Sequence, residues 1–116
     1  MKMGSARINL SRAVILAMLS AGLALWSTPA AADDAATTYK AKCAMCHGAD
    51  GKGDTPVGKK MGIRDLTSAD VQKMSDAELT TITTKGKNKM PAYENKLSAA
   101  QIKDVVAYIR QLAKGK

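Results

Sequence analysis

The stretch Cys43-Ala44-Met45-Cys46-His47 constrains this chain more than any other part of it. It holds the only two cysteines, three positions apart, and the only histidine follows them directly. On a helix, residues three and four apart share a face, so Cys43, Cys46 and His47 would project together. The two thiols could then add to the two vinyl groups of a haem, with the imidazole beneath the iron. This spacing is typical of a covalent haem attachment site.

Two other uses of these side chains stay open at this point. A thioredoxin-like redox pair uses Cys-x-x-Cys, but it needs no adjacent histidine and normally accompanies an α/β pattern, which this sequence lacks. A structural zinc ion needs about four ligands. The motif supplies three, so a carboxylate would have to complete the site. Haem is the prediction that uses both cysteines and the histidine.

The N-terminal residues have the three parts of a secretory leader. Residues 1–12 carry basic but no acidic side chains, residues 13–26 are mostly apolar, and Ala30-Ala31-Ala32 resembles a cleavage site. Fourteen residues are short for a membrane span, and an uncleaved anchor is the alternative. We predict a cleaved signal peptide at 1–32, a single domain at 33–116 and a periplasmic location.

The predicted domain has few large side chains from which to build a core. Residues 33–116 contain no Phe and no Trp, and only three Tyr. A chain of this length buries little apolar area without a cofactor or a cross-link. In an oxidising compartment two free thiols would also tend to oxidise. A covalently bound haem at the centre would enlarge the core and would consume both thiols.

Helical signals recur along the domain, and no alternating strand pattern accompanies them. Thr67 or Ser68 can cap a short helix, and Ser75 and Ser98 each begin a capping box with Glu or Gln three residues later. The predicted helices cover about 35–43, 68–74, 76–85 and 99–113. Residues 48–66 and 85–93 are predicted as loops or irregular connections. The predicted fold class is all-α, with about four short helices and long loops around one haem.

Haem iron has a second axial position, for which a methionine thioether is the natural candidate because no second histidine exists. Met45 lies between the thiols, and Met74 falls in a predicted helix, where packing is the usual role. Met61 and Met90 fall in predicted loops. Pro91 stiffens the chain after Met90 and disfavours helix there. Met90 is therefore the predicted ligand; Met61 and an open or lysine-filled site are the alternatives.

Pro56 follows the motif in a stretch rich in Gly and Asp. Its carbonyl could accept a hydrogen bond from the free ring N–H of His47 and so fix the imidazole, as partners behind a ligand commonly do. A plain turn residue is the other interpretation.

With these motifs assembled, the chain resembles class I cytochromes c of the small bacterial monohaem type. The matching stretches are Tyr39-x-x-x-Cys43-Ala44-Met45-Cys46-His47-Gly48, Thr55-Pro56, Gly86 to Met90-Pro91-x-Tyr93, and Val105-Val106-Ala107-Tyr108-Ile109-Arg110. The resemblance implies that the first and last helices cross near the haem, with Tyr39 packed against the helix of Tyr108. It also implies that the carbonyl of Pro56 accepts a hydrogen bond from the ring N–H of His47 and that Met90 binds iron.

The sequence departs from that family at two places. Many members keep a Trp near the haem propionates, whereas residues 33–116 contain none, so Tyr93 and backbone amides are the candidates for those contacts. Ala35 stands where a Gly is common at the helix crossing. We expect the crossing to survive, because Ala is also small.

The resemblance implies a soluble, exported, monomeric one-electron carrier and not an enzyme. The alternatives are a subunit docked to a periplasmic dehydrogenase, or a gas sensor or peroxidase with a displaceable Met90. Residues 33–116 hold fifteen Lys and Arg against ten Asp and Glu. Such a balance attracts redox partners with acidic docking surfaces, for example a terminal oxidase, a quinol-oxidising complex or a dehydrogenase.

The predicted basic rim of the haem consists of lysines from the two loops: Lys52, Lys59, Lys60, Lys85, Lys87, Lys89 and Lys96. Nucleic acid is a poor candidate partner, because no aromatic side chains interleave with these lysines to stack on bases.

Overall fold

The computed structural model describes residues 30–115, with side chains from residue 34 onward. The predicted leader at 1–32 therefore lies almost entirely outside the described residues. The first described helix, α1, is Ala30–Lys42 and so begins just before the predicted cleavage site. In this part of the chain, no helix combines the length and the apolar character that crossing a membrane would require.

The C-terminal helix α6, Ala99–Lys114, packs along α1. Apolar residues recur on α6 at helical spacing, and its buried members are Ile102, Val105, Val106 and Ile109. The ring of Tyr39 on α1 is buried, and its centroid lies 5.2 Å from that of Tyr108, with the planes tilted by 52°. Ala35 is buried on α1 as well. The implied packing of the first and last helices is thus confirmed, with alanine in place of glycine.

Two shorter helices complete the second half of the core. Helix α4 is Ala69–Gln72 and helix α5 is Asp76–Lys85, which also packs on α6. Val71, Leu79 and Val106 form a buried cluster between them. Ser68, rather than Thr67, caps α4, and the predicted capping boxes form at the starts of α5 and α6.

Two helices differ from the prediction. Cys43 interrupts the first helix, so that Ala44–His47 forms a separate short helix, α2. Pro56–Met61 forms helix α3 within a segment predicted to be irregular. Thr55 caps it by accepting from the backbone N–H of Gly58 at 2.8 Å, and Pro56 stands at its first position, where the missing N–H costs nothing. Met61, predicted in a loop, is the last residue of α3.

Arg110 ties α6 to the connection between α4 and α5. Its guanidinium donates to the carbonyls of Gln72 and Met74, and it pairs with Asp76 at 2.9 Å. Several backbone carbonyls are thereby satisfied by one planar group. The described residues form six helices and no strand, so the all-α prediction is confirmed.

Candidate haem site

The motif forms one continuous turn at the end of α1. Lys42 ends that helix, and the N–H of Cys43 still donates to the carbonyl of Tyr39 at 2.8 Å. The carbonyl of Cys43 then accepts from the N–H groups of Cys46 and His47, at 3.2 and 2.9 Å. The helical spacing on which the motif prediction depends is therefore present, although Cys43 separates two helices.

Three hydrogen bonds fix the backbone that follows the thiols. The hydroxyl of Tyr39 donates to the carbonyl of Gly48 at 2.8 Å, in a buried position. The N–H of Gly53 donates to the carbonyl of His47 at 2.7 Å, and the hydroxyl of Thr55 donates to that of Cys46 at 3.0 Å. The last carbonyls of a helix lack hydrogen-bond partners within it. These three donors supply partners at the end of α2 and so hold the backbone of His47 in place.

Gly58 lets α3 come close to this turn. A Cβ at this buried position would lie 2.5 Å from the carbonyl oxygen of Cys46 and would also collide with that of Gly53. The neighbouring atoms belong to the backbone and cannot rotate away. The structure thus gives Thr55 and Gly58 roles that the sequence prediction missed. The signal that could have revealed α3 is the Thr55-Pro56 pair, because threonine often caps a helix and proline often occupies its first position.

The electrostatics of the turn suit haem attachment better than a dithiol. Burial raises the pKa of the Cys43 thiol to about 11, with a smaller contribution from Cys46. A reactive Cys-x-x-Cys pair requires the opposite shift. Burial also lowers the pKa of His47 and so favours the neutral imidazole. A neutral imidazole can offer a nitrogen lone pair to iron.

His47 also has a buried polar atom in need of a partner. Its Nδ1 makes no hydrogen bond to any described residue, whereas buried polar groups are normally paired. Cys43 and Cys46 beside it are half-buried and not joined in a disulfide. One neutral imidazole and two accessible thiols within a turn fit the attachment of a haem.

Met90 lies at the end of a two-residue turn. Lys87 and Met90 exchange backbone hydrogen bonds of 2.9 and 3.1 Å, and between them Asn88 adopts a left-handed conformation with φ of 53°. Gly86 precedes the turn with φ of 76°, and a Cβ there would lie 2.6 Å from the carbonyl oxygen of Met90. The half-buried Met90 is therefore presented by a backbone with little freedom.

Tyr93 connects this turn to the motif. Its hydroxyl donates to the carbonyl of Lys42, the residue before Cys43, at 2.9 Å. Burial raises the pKa of Tyr93, and the nearby thiols of Cys43 and Cys46 raise it further. The structure thus brings Tyr93 close to both cysteines.

One predicted contact is not formed. The predicted hydrogen bond from His47 to Pro56 is absent, because Pro56 is the exposed first residue of α3 and its carbonyl faces along that helix. Tyr93, the candidate for a propionate contact, donates its hydroxyl proton to the carbonyl of Lys42. Its contact with a propionate stays a prediction.

The chain is similar to known proteins in both sequence and fold. The family model of cytochrome c oxidase, cbb3-type, subunit III matches residues 30–109. The chain belongs to the cytochrome c family. A solved c-type cytochrome, KustC0563, has a similar fold with a TM-score of 0.64 and 30% identity, covering 68% of this chain and 96% of its own.

Curated relatives within the cytochrome c family differ in the share of their length that this chain covers. Cytochrome c6 of a Synechococcus species is 38% identical over 99 residues, which cover 82% of this chain and 86% of the relative. Cytochrome c6 of Gloeothece citriformis is 35% identical over 109 residues, which cover 90% of this chain and 94% of the relative. The cbb3-type oxidase subunit CcoP of Azospirillum brasilense is 34% identical over 89 residues, which cover 75% of this chain but only 30% of CcoP.

Membership of the cytochrome c family establishes the cofactor as covalently bound haem c. The chain is a small c-type cytochrome that carries electrons. Its match to CcoP spans less than a third of that subunit, so what CcoP does as a whole is a property of the longer protein.

Proposed function

We propose that this cytochrome is an exported one-electron carrier whose haem is attached through Cys43 and Cys46 and whose iron is held between His47 and Met90. Haem iron supplies reversible one-electron chemistry when bound, and His/Met ligation suits electron transfer. The observation that carries the proposal is the connection of the Met90 turn to the motif, by the hydrogen bond of Tyr93 to Lys42.

The side chains have distinct tasks in this proposal. His47 offers a neutral ring nitrogen from a backbone fixed through the N–H of Gly53. Met90 offers its sulfur from a turn closed on itself by two hydrogen bonds. Two protein ligands on rigid segments leave little to reorganise when one electron moves, and they leave no iron position for a substrate. A carrier is therefore favoured over the alternative of a gas sensor or peroxidase.

The proposed partners are redox proteins with acidic docking surfaces, met in the periplasm after export through the N-terminal leader. Within the predicted basic rim, Lys59 pairs with Asp54 at 2.8 Å and Lys85 pairs with Glu94 at 2.6 Å. These pairs reduce the contribution of Lys59 and Lys85 to the positive charge of the rim. Lys87 and Lys89 are exposed on the Met90 turn itself. An oxidase is the favoured partner class, because the matching family model and CcoP are both oxidase subunits. Docking to a dehydrogenase is the alternative.

The ligand assignment is tested with Met90→Ala. Met61→Ala is the matched control, since Met61 is half-buried too and is the alternative ligand that the sequence left open. We expect Met90→Ala to abolish the long-wavelength absorption band that a thioether gives with ferric haem iron, and to lower the reduction potential. Met61→Ala should keep both. Pyridine haemochrome spectra of the two holoproteins check that haem remains covalently attached.

Two results would contradict the assignment. A Met90→Ala protein with the wild-type spectrum and potential would remove Met90 from the iron. A wild-type protein whose haem is extracted by acidified organic solvent would show that Cys43 and Cys46 do not attach it.

A further inference from the structure

Tyr93 is held from several directions at once. Its hydroxyl donates to the carbonyl of Lys42 at 2.9 Å, across 51 positions of sequence. Its own N–H donates to the carbonyl of Thr83 on α5 at 3.1 Å, and its carbonyl accepts from Lys96 and Leu97 at 2.9 Å each. These bonds fix both the backbone and the phenol of one residue.

The acceptor of the Tyr93 hydroxyl is a helix end. Lys42 is the last residue of α1, and carbonyls at that position lack a partner within the helix. The phenol supplies one. The same carbonyl belongs to the peptide bond that leads into Cys43. Tyr93 is therefore fastened to the segment that carries the first attachment thiol.

A short and stiff link separates this anchor from Met90. Only Pro91 and Ala92 intervene, and the proline ring fixes one of the backbone dihedrals. On the other side, the turn packs so closely on Gly86 that a Cβ there would lie 2.6 Å from the carbonyl oxygen of Met90 and 2.9 Å from the nitrogen of Ala92. A movement of Tyr93 away from Lys42 would therefore carry Met90 with it.

We propose that Tyr93 is a positioning residue that keeps Met90 on the iron by fastening the Met90 turn to the end of α1. The inference rests on the proposed ligation by Met90 and adds the element that controls how readily this ligand leaves. Two neighbouring charged groups stay in place when only the hydroxyl is removed: the ammonium of Lys96 lies 5.4 Å from the centroid of the Tyr93 ring, within cation–π range, and the Lys85–Glu94 pair is largely exposed.

The test measures how quickly imidazole displaces the sixth ligand of the ferric holoprotein. At saturating imidazole the rate reports the release of the native ligand. Tyr93→Phe keeps the ring and removes only the hydroxyl, so we expect release about five- to tenfold faster, the effect of losing one hydrogen bond. The long-wavelength thioether band and the reduction potential are recorded in parallel, because a purely structural role would leave them unchanged once the protein is folded.

Ser75→Ala is the matched control. It removes an exposed hydroxyl that accepts from the N–H of Glu78 at 3.1 Å at the start of α5, outside the attachment turn and the Met90 turn. We expect a loss of about 1 kcal/mol of stability but an exchange rate within about twofold of wild type. Equal acceleration in both variants would mean that general destabilisation, and not the position of Tyr93, controls release, and it would overturn the proposal.

The remaining outcomes separate this inference from the proposed function. If Met90→Ala exchanges quickly while Tyr93→Phe exchanges like wild type, Met90 is a ligand and Tyr93 has no positioning role. If wild type already exchanges as fast as Met90→Ala, the proposed ligation itself is wrong. Should the Tyr93→Phe holoprotein fail to accumulate, Tyr93 is replaced by 3-fluorotyrosine, a stronger donor of nearly the same shape. Slower exchange then supports the role, and unchanged exchange overturns it.

Discussion

At the scale of single residues, the attachment turn depends on close backbone contact at Gly58. Helix α3 approaches the carbonyls of Cys46 and Gly53 so closely that no side chain fits between them. The same helix start supplies Thr55, whose hydroxyl donates to Cys46 and accepts from Gly58. One glycine and one threonine thus connect α3 to the residue that precedes His47.

Gly58→Ala is expected to lower the free energy of unfolding by about 3 kcal/mol, because an added methyl group meets backbone atoms that cannot move aside. Gly62→Ala is the matched control. A Cβ at Gly62 meets nothing within 4 Å, and the left-handed φ of 64° alone should cost about 1 kcal/mol. Denaturant unfolding of the two holoproteins measures the difference. Equal losses would show that α3 can move away from the turn.

At the scale of elements, helices α5 and α6 both start with a capping box, which is closed by a carboxylate in α5 and by an amide in α6. Ser75 begins α5, and its N–H donates to the carboxylate of Glu78 at 2.7 Å. Ser98 begins α6, and its N–H donates to the amide oxygen of Gln101 at 2.9 Å. Of these two capping boxes, only the one at α5 contains an ionisable group. Only its contribution to stability is therefore expected to depend on pH.

The hydrogen bonds from Ser75 lower the pKa of Glu78 below its usual 4.5. A carboxyl with a depressed pKa in the folded state stabilises above its unfolded pKa, and the stabilisation disappears as pH falls through the folded pKa. We expect the melting temperature of wild type to exceed that of Glu78→Gln near neutral pH, and the difference to vanish as pH falls below about 4.5.

Gln101→Glu provides the converse control for this pH effect. It places a carboxylate in the α6 box and should add a pH dependence of the same sign, read from thermal unfolding by circular dichroism. If wild type and Glu78→Gln lose stability in parallel across the acid range, the α5 box contributes nothing that depends on pH.

At the scale of the whole molecule, the distribution of charge decides which reagents approach the Met90 turn. Lys87 and Lys89 are exposed there, while acidic side chains occur at the starts of α4 and α5, at Asp70, Asp76 and Glu78, and at Asp65 before α4. An uneven surface of this kind steers charged reactants, and salt screens the effect.

We expect Lys87→Glu combined with Lys89→Glu to slow oxidation of the ferrous protein by ferricyanide several-fold at low ionic strength and to accelerate oxidation by a cationic cobalt complex. Lys73→Glu with Lys103→Glu changes the net charge equally at exposed positions elsewhere, and it should have the smaller effect. Stopped-flow rates across a salt series measure both. Identical responses of the two double variants would mean that net charge, and not the Met90 turn, governs approach.

Much of the site and of the helix pattern could be predicted from local sequence. Cys43, Cys46 and His47 lie within one turn, so their spacing alone indicates haem attachment. The Ser75 and Ser98 boxes close between residues three apart and are correct for the same reason. Helix α3 was missed because the density of glycines outweighed the Thr55-Pro56 start, although its caps are local too.

The sequence by itself determined the cofactor motif, the all-α class and the starts of α4, α5 and α6, because each depends on residues within a few positions of one another. Only the tertiary structure decided that Tyr93 meets Lys42, that His47 and Pro56 do not meet, and that Gly58 touches Cys46. The two contacts that form join residues 51 and 12 positions apart. Their partners depend on the direction in which each carbonyl points after the helices have packed, and no local pattern encodes that direction.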